Sequence, residues 1–176
     1  DQAAAAGMLQ RYVPFDVTET MVRRCSEICG ERFTDAEIIG VVGDFERHLG
    51  YIPPPIEGAP RVVALLGGTI GNFVPGSRRQ LLRAIASLLR PGIDHLLLGT
   101  DLVKDPAVIE AAYNDSAGVT AAFNRNLLSV INRSLDADFD VEAFEHVAFY
   151  DQGREWIEMR LRASRAMHVK IAAIPL

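Results

Sequence analysis

The chain has 176 residues, of which 49% are hydrophobic and 23% are charged, and its formal net charge is −5. This length and composition indicate a globular protein of about one domain's size, with enough apolar side chains to bury a core. The acidic balance argues against a nucleic-acid-binding protein, and the absence of a long apolar run or a signal peptide favours an intracellular, cytoplasmic protein that binds no membrane.

The first residues predict a helix, a strand and a second helix. Residues 3–9 are expected to be the last turns of a helix, and Arg11–Asp16 a short strand that ends in an acid. The next helix is expected to begin at Asp16, where the Asp-x-x-Glu spacing resembles a capping box, and to end at Gly30. Its buried face is predicted to carry Met21, Val22, Cys25, Ile28 and Cys29.

Three apolar runs follow, at Ile38–Val42, Arg61–Leu66 and His95–Asp101. Continuous rather than alternating runs are typical of strands that are covered on both faces. A helix with a leucine-rich stripe precedes Pro91. The alternation predicts an α/β fold in which helices cover both faces of a parallel sheet. Ligands bind at the carboxyl ends of such strands, so we expect one binding crevice there.

The second half predicts a smaller α+β lobe. Helices are expected at Pro106–Tyr113 and Ala117–Leu135, and three later runs are expected to form an antiparallel meander. These runs are His146–Tyr150, Trp156–Ala163 and Met167–Ile174. The middle run alternates strictly, which predicts one buried face made of Ile157, Met159, Leu161 and Ala163. We therefore divide the chain into a domain over 1–104 and a lobe over 105–176.

The segment Gly67-Gly68-Thr69-Ile70-Gly71-Asn72 directly follows a predicted buried strand. Glycines allow a ligand to approach the backbone, and the Asn72 amide offers both an acceptor and donors to an amino-acid or nucleotide headgroup. A tight turn in which Asn72 caps the next segment explains the pattern equally well.

Acids close two other predicted strands. Asp16 suits the acid that holds a ribose in a Rossmann-type site, and it also suits a helix cap. Asp44 and Phe45 suit hydrogen bonding to a purine and stacking on it, although Phe45 also suits an apolar anchor for the following turn. The glycine-rich loop of such a site normally lies about 20 residues before the acid, and Asp16 has only fifteen residues before it.

No pattern in the chain predicts a metal site or a hydrolytic site. Cys25 and Cys29 lie one helical turn apart, and we interpret them as small buried thiols. The four histidines are scattered, and a Gly-x-Ser-x-Gly sequence is absent. The chemistry is therefore expected to depend on positioning, with no catalytic nucleophile and no metal.

Several motifs together resemble one family. The chain is similar to the histidine-specific Nα-methyltransferases of ergothioneine biosynthesis, which are class I S-adenosylmethionine enzymes, and actinobacterial members look most similar. The matching segments are Tyr12–Glu19, Val42–Phe45, Leu66–Asn72, Leu98–Asp105, Ala112–Asp115, Gly118–Asn126 and Phe144–Val147.

The resemblance implies a Rossmann-like sheet and a cofactor, S-adenosylmethionine. It implies that Asp16 binds the cofactor ribose, and that Asp44 and Phe45 bind its adenine. It also implies that the glycine-rich cofactor loop, on the first strand of that sheet, lies before residue 1. The sheet in this chain is then incomplete.

For the substrate, the resemblance implies L-histidine, trimethylated on its α-amine to hercynine by a monomeric enzyme. Asn72 would hold the amino and carboxylate end, Tyr113 the carboxylate, and Met159 would lie close to the pocket. The residues that grip the imidazole are expected after residue 176. This chain alone is therefore expected to be impaired or inactive.

Two alternatives to that activity remain open. One is a non-catalytic remnant or proteolytic core that binds no ligand tightly. The other is a related S-adenosylmethionine-dependent methyltransferase that acts on another amino acid or amine, because the residues that would select histidine are not all within this chain.

Overall fold

The structure is a computed structural model, and it describes residues 7–173. The chain divides between Asp101 and Leu102 into two compact units. Most of the helix predicted over residues 3–9 lies outside the described residues. The assignment of cofactor binding to 1–104 and substrate binding to 105–176 stays a prediction.

The first unit begins with a parallel strand pair that is interrupted once. Strands β1 (Arg11–Tyr12) and β2 (Phe15–Asp16) pair with β3 (Glu37–Ile38) and β4 (Val41–Val42), respectively. Two continuous strands were expected here. Pro14 explains the break, because it has no N–H with which to complete the ladder on its side of the pair.

Helix α1 (Glu19–Arg32) differs from its prediction at both ends and on its buried face. Its N-cap residue is Thr18 rather than Asp16, and it continues two residues past Gly30. Val22 is buried, whereas Met21 is 57% exposed and Ile28 is 52% exposed. The cysteines are free thiols of intermediate burial, so they are less buried than expected.

Close backbone packing surrounds two glycines of this strand pair. A Cβ atom on Gly40 would lie 2.6 Å from Val22 Cγ1 and 2.8 Å from Ser26 Oγ. A Cβ atom on Gly43 would lie 2.8 Å from His48 Cβ and 2.9 Å from Phe15 Cζ. Such distances are shorter than carbon atoms tolerate, so any larger residue would push helix α1 or the loop after β4 away.

A second parallel pair joins β5 (Val62–Leu65) and β6 (His95–Leu98), with helix α2 (Pro75–Ser87) between them in sequence. One face of β5 packs in a buried cluster that consists of Leu65, Ile70, Leu81 and Ile85. The opposite side is open, since Val62 is 59% exposed and Leu97 is 54% exposed. We predicted that both faces of this strand pair are buried. Within residues 7–173, only one face is covered.

The two parallel pairs are separate in their hydrogen bonding. Each ladder among the described residues joins only two strands, so the expected single sheet is not formed by this part of the chain. Short 3₁₀ turns at Leu49–Tyr51 and Thr69–Asn72 complete the unit's regular structure. What is observed is therefore mixed α/β structure with parallel pairing.

An ion pair between the half-buried Arg90 and the buried Asp94 fixes the entry of β6. The Asp94 side chain has no exposed surface and accepts hydrogen bonds from Arg90 Nη2 at 2.7 Å and from the Arg61 backbone N–H at 2.7 Å. Arg90 holds the pKa of Asp94 well below its usual range, because its guanidinium donates to the ionised carboxylate. Asp94 thus links the loop before β6 to Arg61, the residue directly before β5.

The second unit contains helices α3 (Pro106–Tyr113) and α4 (Val119–Leu135) and a hairpin of β7 (Phe144–Asp151) and β8 (Trp156–Ala163). The bounds of α3 agree with the prediction. Helix α4 begins two residues later than predicted, because Gly118 takes up a left-handed conformation, φ 72°, at its N-cap.

The third strand predicted for this unit is not formed by residues 167–173, and Ile174 lies outside the described residues. The backbone of this segment bonds elsewhere: Asp138 N–H donates to Lys170 C=O, and Ala172 N–H donates to Asp136 C=O. These partners follow the C-terminus of α4, so β8 gains no second neighbour here. The lobe has a hairpin where a meander was expected.

The two faces of the hairpin differ in character. On one face, the guanidinium of Arg160 lies 4.7 Å from the Phe149 ring centroid, and that of Arg154 lies 5.0 Å from the ring of Trp156. The indole N–H of Trp156 donates to Glu158 at 2.9 Å. Helices α3 and α4 contact the other face. None of the helices within residues 7–173 has the length and hydropathy of a membrane span.

Candidate functional site

Asp16 lies at the carboxyl end of β2. Its backbone takes part in the strand pairing, and its side chain binds the turn that follows. Its carbonyl accepts from Gly43 N–H at 2.9 Å, which continues the ladder to β4. Its Oδ1 accepts from Thr18 N–H at 2.8 Å, and Oδ2 has no hydrogen-bond partner among residues 7–173. The carboxylate thus stabilises the turn into α1 without being the N-cap, and one oxygen stays available to a ligand.

Asp44 and Phe45 lie two and three residues beyond β4, beside Asp16. Asp44 Oδ1 accepts from Glu46 N–H at 2.8 Å, and Asp44 N–H donates to His48 Nδ1 at 2.9 Å. The ring of Phe45 stacks on Phe15 with centroids 5.2 Å apart. Phe45 also packs against the core cluster of the β5–α2 region, so it anchors the turn. Its contact with a purine stays a prediction.

The glycine turn after β5 is built on left-handed backbone. Gly67 and Gly68 have φ angles of 73° and 71°, which favour glycine strongly, and no atom lies within 4 Å of a Cβ on either. The turn then closes as a 3₁₀ helix whose Ile70 is buried in the core cluster that Phe45 contacts. Ile70 and Phe45 thus both belong to the packing of this cluster.

The side chain of Asn72 is exposed at the end of this turn. The capping alternative predicted a hydrogen bond from Asn72 to the next segment. The N-cap of α2 is Val74, without a side-chain cap, and Pro75 begins the helix. Within residues 7–173 the Asn72 amide has no hydrogen-bond partner, so its donors and acceptor are free to meet a ligand.

Tyr113 and Met159 belong to the second unit. Tyr113 is the last residue of α3, is half-buried, and its hydroxyl bonds to no other described residue. Met159 is 39% exposed and lies opposite Ala148 in the hairpin. Cross-strand partners share a face, so Met159 lies on the face that carries His146. The prediction that Met159 is buried is wrong for the described residues.

Sequence reasoning missed two polar residues that meet on this side of the hairpin, His146 of β7 and Asn124 of α4. His146 Nε2 lies 2.8 Å from the carbonyl oxygen of Tyr113, and Nδ1 lies 3.0 Å from Asn124 Nδ2. A signal was present in the pattern of β7: His146 alternates with Phe144 and Ala148 on the inward face. A polar side chain at an apolar position needs a partner.

Asp115 organises the start of α4. Its Oδ2 accepts from Val119 N–H at 2.9 Å and its Oδ1 from Thr120 N–H at 2.8 Å. The hydroxyl of Thr120 and these two N–H groups lower the pKa of Asp115 to about 2, because they donate to the ionised form. Asp115 follows Tyr113 by two residues, so the cap also restrains the loop that Tyr113 enters.

This arrangement predicts an acid sensitivity of the second unit. Because the pKa in the folded state is below the unfolded value of about 3.9, the carboxylate stabilises the fold above pH 4. That contribution is lost as the pH falls from 4 towards 2. Asn at position 115 can still cap the helix but does not titrate. The urea midpoint of Asp115→Asn is expected to fall less between pH 4 and pH 2 than that of the wild type.

The exposed Asp35 provides the matched control for this experiment. Asp35→Asn makes the same change from a carboxylate to an amide at an exposed position, and its urea midpoint is measured at the same pH values. Parallel curves for wild type and Asp115→Asn over this pH range would contradict the assignment.

The residue types at the strand ends suit an organic ligand. Among residues 7–173, no three His, Cys, Asp or Glu side chains come together as potential metal ligands. The first unit instead presents a carboxylate with one open oxygen, Asp16, and an open amide, Asn72. Such groups bind hydroxyl, amine and carboxylate functions.

Comparison with known proteins gives concordant matches. A family model described as histidine-specific methyltransferase, SAM-dependent, matches residues 1–176. A histidine N-alpha-methyltransferase of Mycolicibacterium smegmatis is 51% identical over 176 residues, which are 100% of this chain and 54% of that protein. One of Mycobacterium tuberculosis is 51% identical over 170 residues, 97% of this chain and 52% of that protein.

A more distant relative is the ergothioneine biosynthesis protein 1 of Neurospora crassa. It is 28% identical over 170 residues, which cover 88% of this chain and 19% of that protein. The chain spans about half the length of the two mycobacterial relatives.

Proposed function

Because the chain belongs to the family of S-adenosylmethionine-dependent, histidine-specific methyltransferases, we propose that its protein methylates the α-amino group of L-histidine. Three successive transfers give the betaine hercynine, as the first step of ergothioneine biosynthesis. The observation that carries this proposal in the structure is the open amide of Asn72 on a turn held by two left-handed glycines. We also propose that the enzyme is a cytoplasmic monomer.

The proposal includes a Rossmann-like sheet for the cofactor domain. Its support is the parallel pairing of both strand pairs, with a helix between the paired strands in sequence. The exposed apolar side chains of β5 and β6 add further support, because parallel strands in such sheets are covered on both faces. Val62 and Leu97 then belong to a surface that the rest of the protein covers.

Asp16 would bind the ribose of S-adenosylmethionine, since its open Oδ2 is an acceptor for a hydroxyl pair. Asp44 and Phe45 would hold the adenine, through the Asp44 carboxylate and the edge of the Phe45 ring that Phe15 does not cover. When bound, the cofactor supplies an electrophilic methyl group on a sulfonium. Strands β2 and β4 are paired, so Asp16 at the end of β2 and the segment Asp44–Phe45 after β4 lie at the same edge, which supports assigning them to a single ligand.

Asn72 and Tyr113 would hold the amino-acid end of histidine, and Met159 would line the pocket. The reacting amine must be neutral to act as a nucleophile. A neutral amide accepts a hydrogen bond from an amine without favouring its protonated form, whereas a carboxylate would favour it. Binding residues of this kind accelerate the reaction by fixing the angle and distance of attack.

The direct test is a methyl-transfer assay of the full-length encoded protein with S-adenosylmethionine and L-histidine. Mass spectrometry is expected to detect mono-, di- and trimethylated histidine, with the trimethylated product accumulating. A panel of other amino acids and amines serves as the control. Faster methylation of any panel member than of histidine would replace the proposed substrate, and no methylation at all would remove the proposed activity.

A further inference from the structure

His146 joins three elements of the second unit through its ring. It projects from β7, with Nε2 at 2.8 Å from the Tyr113 carbonyl oxygen of α3 and Nδ1 at 3.0 Å from Asn124 Nδ2 of α4. Asn124 Nδ2 also lies 3.1 Å from the Arg160 carbonyl oxygen of β8. A carbonyl oxygen can only accept, so Nδ2 is the amide's donor nitrogen.

These contacts determine the tautomer of the ring. Because Asn124 Nδ2 donates, His146 Nδ1 must be the acceptor. The ring proton of neutral His146 is then on Nε2, which donates to the carbonyl of Tyr113. Asn124 thus orients the ring, and the ring in turn holds the end of α3.

The carbonyl that His146 binds is one that a helix cannot satisfy by itself. Tyr113 is the last residue of α3, and the last four carbonyls of a helix have no partner within it. One turn earlier, Glu110 Oε1 accepts from the Tyr150 backbone N–H at 2.9 Å. Two contacts, spaced one turn apart, therefore attach the C-terminal half of α3 to strand β7.

From this geometry we infer that His146 is a positioning residue for substrate binding, an inference that rests on the proposed function. It holds the backbone of Tyr113 so that the phenol is presented to the histidine carboxylate in one orientation. It does not touch the substrate itself. Through Asn124 and the carbonyl of Arg160, the same set of contacts also restrains β8 next to Met159.

The test compares three variants of the full-length protein. His146→Leu removes both ring contacts, and His146→Gln keeps a side-chain amide that can donate to the Tyr113 carbonyl. His168→Leu is the matched control, since His168 is exposed in the same unit. Thermal unfolding identifies any variant that fails to fold.

The expected kinetic result is a change that is specific to one substrate. His146→Leu should raise the KM for histidine roughly tenfold, the equivalent of one lost hydrogen bond. The KM for S-adenosylmethionine should stay unchanged, and His146→Gln should lie between the wild type and His146→Leu. Asn124→Ala tests the same contacts from the other end, and a smaller rise in the KM for histidine is expected.

A second measurement does not depend on the reaction. Hydrogen–deuterium exchange of residues 107–116 should be faster in His146→Leu than in wild type or His168→Leu. A wild-type protein that does not methylate histidine would remove the proposed function, and exchange alone would then decide whether His146 anchors Tyr113. Unchanged exchange, or equal changes in both KM values, would overturn the inference.

Discussion

Replacing Asn72 with alanine is expected to lower kcat/KM for histidine by about 10- to 100-fold, the effect of losing hydrogen bonds to a charged group. The amide is exposed on a turn whose two glycines leave open space around the backbone. Because it has no hydrogen-bond partner within residues 7–173, its loss should not weaken the fold. The free energy of unfolding should therefore stay within about 0.5 kcal/mol of wild type.

Asn72→Asp separates the shape of the side chain from its charge. A carboxylate at this position would repel the carboxylate of histidine and favour the protonated amine, so a loss at least as large as that of alanine is expected. Gln152→Ala, which removes an exposed amide from the β7–β8 turn, is the control. Full activity of Asn72→Ala would show that the turn serves only the fold.

Replacing Gly43 with alanine is expected to lower the free energy of unfolding by about 1–3 kcal/mol, as overpacking does elsewhere. The added Cβ would lie 2.8 Å from His48 Cβ, which is attached directly to the backbone, and 2.9 Å from Cζ of the Phe15 ring, which stacks on Phe45. Relief requires a shift of the loop after β4. Asp44 follows directly, so the variant should also bind S-adenosylmethionine more weakly.

Gly50→Ala is a matched control for this substitution. Gly50 is exposed and no atom lies within 4 Å of a Cβ built on it. Urea unfolding followed by circular dichroism is expected to distinguish the two variants clearly. Equal stability of Gly43→Ala and Gly50→Ala would mean that the loop after β4 adapts without cost.

Helix α3 was predictable because its signals are local. Asp105 caps the helix through Ala107 N–H, Pro106 occupies its first position, and both residues are visible in the sequence. The interruption of the first strand pair also has a local cause, which is Pro14 in the sequence between β1 and β2. Proline lacks the N–H that a strand ladder needs, so an interruption at this residue is predictable from the sequence.

Other features depend on partners that are distant in sequence. The run at 167–173 has the composition of a strand, but its backbone bonds to residues after α4, so its conformation is decided by tertiary contacts. The link from His146 to Tyr113 joins residues 33 positions apart, and no local pattern encodes it. Asp16 and Asn72 could be chosen as candidates from strand ends alone, while their open hydrogen-bonding atoms became visible only in three dimensions.

Trp156 is the only tryptophan among the 176 residues, and it lies in the second unit. Its indole is held by Glu158 and covered by Arg154, an environment that unfolding would replace with water. Tryptophan emission, excited at wavelengths that the four tyrosines do not absorb, therefore reports on the hairpin, whereas circular dichroism averages over both units. A fluorescence transition displaced from the dichroic one would reveal that the two halves melt independently, without any label being attached.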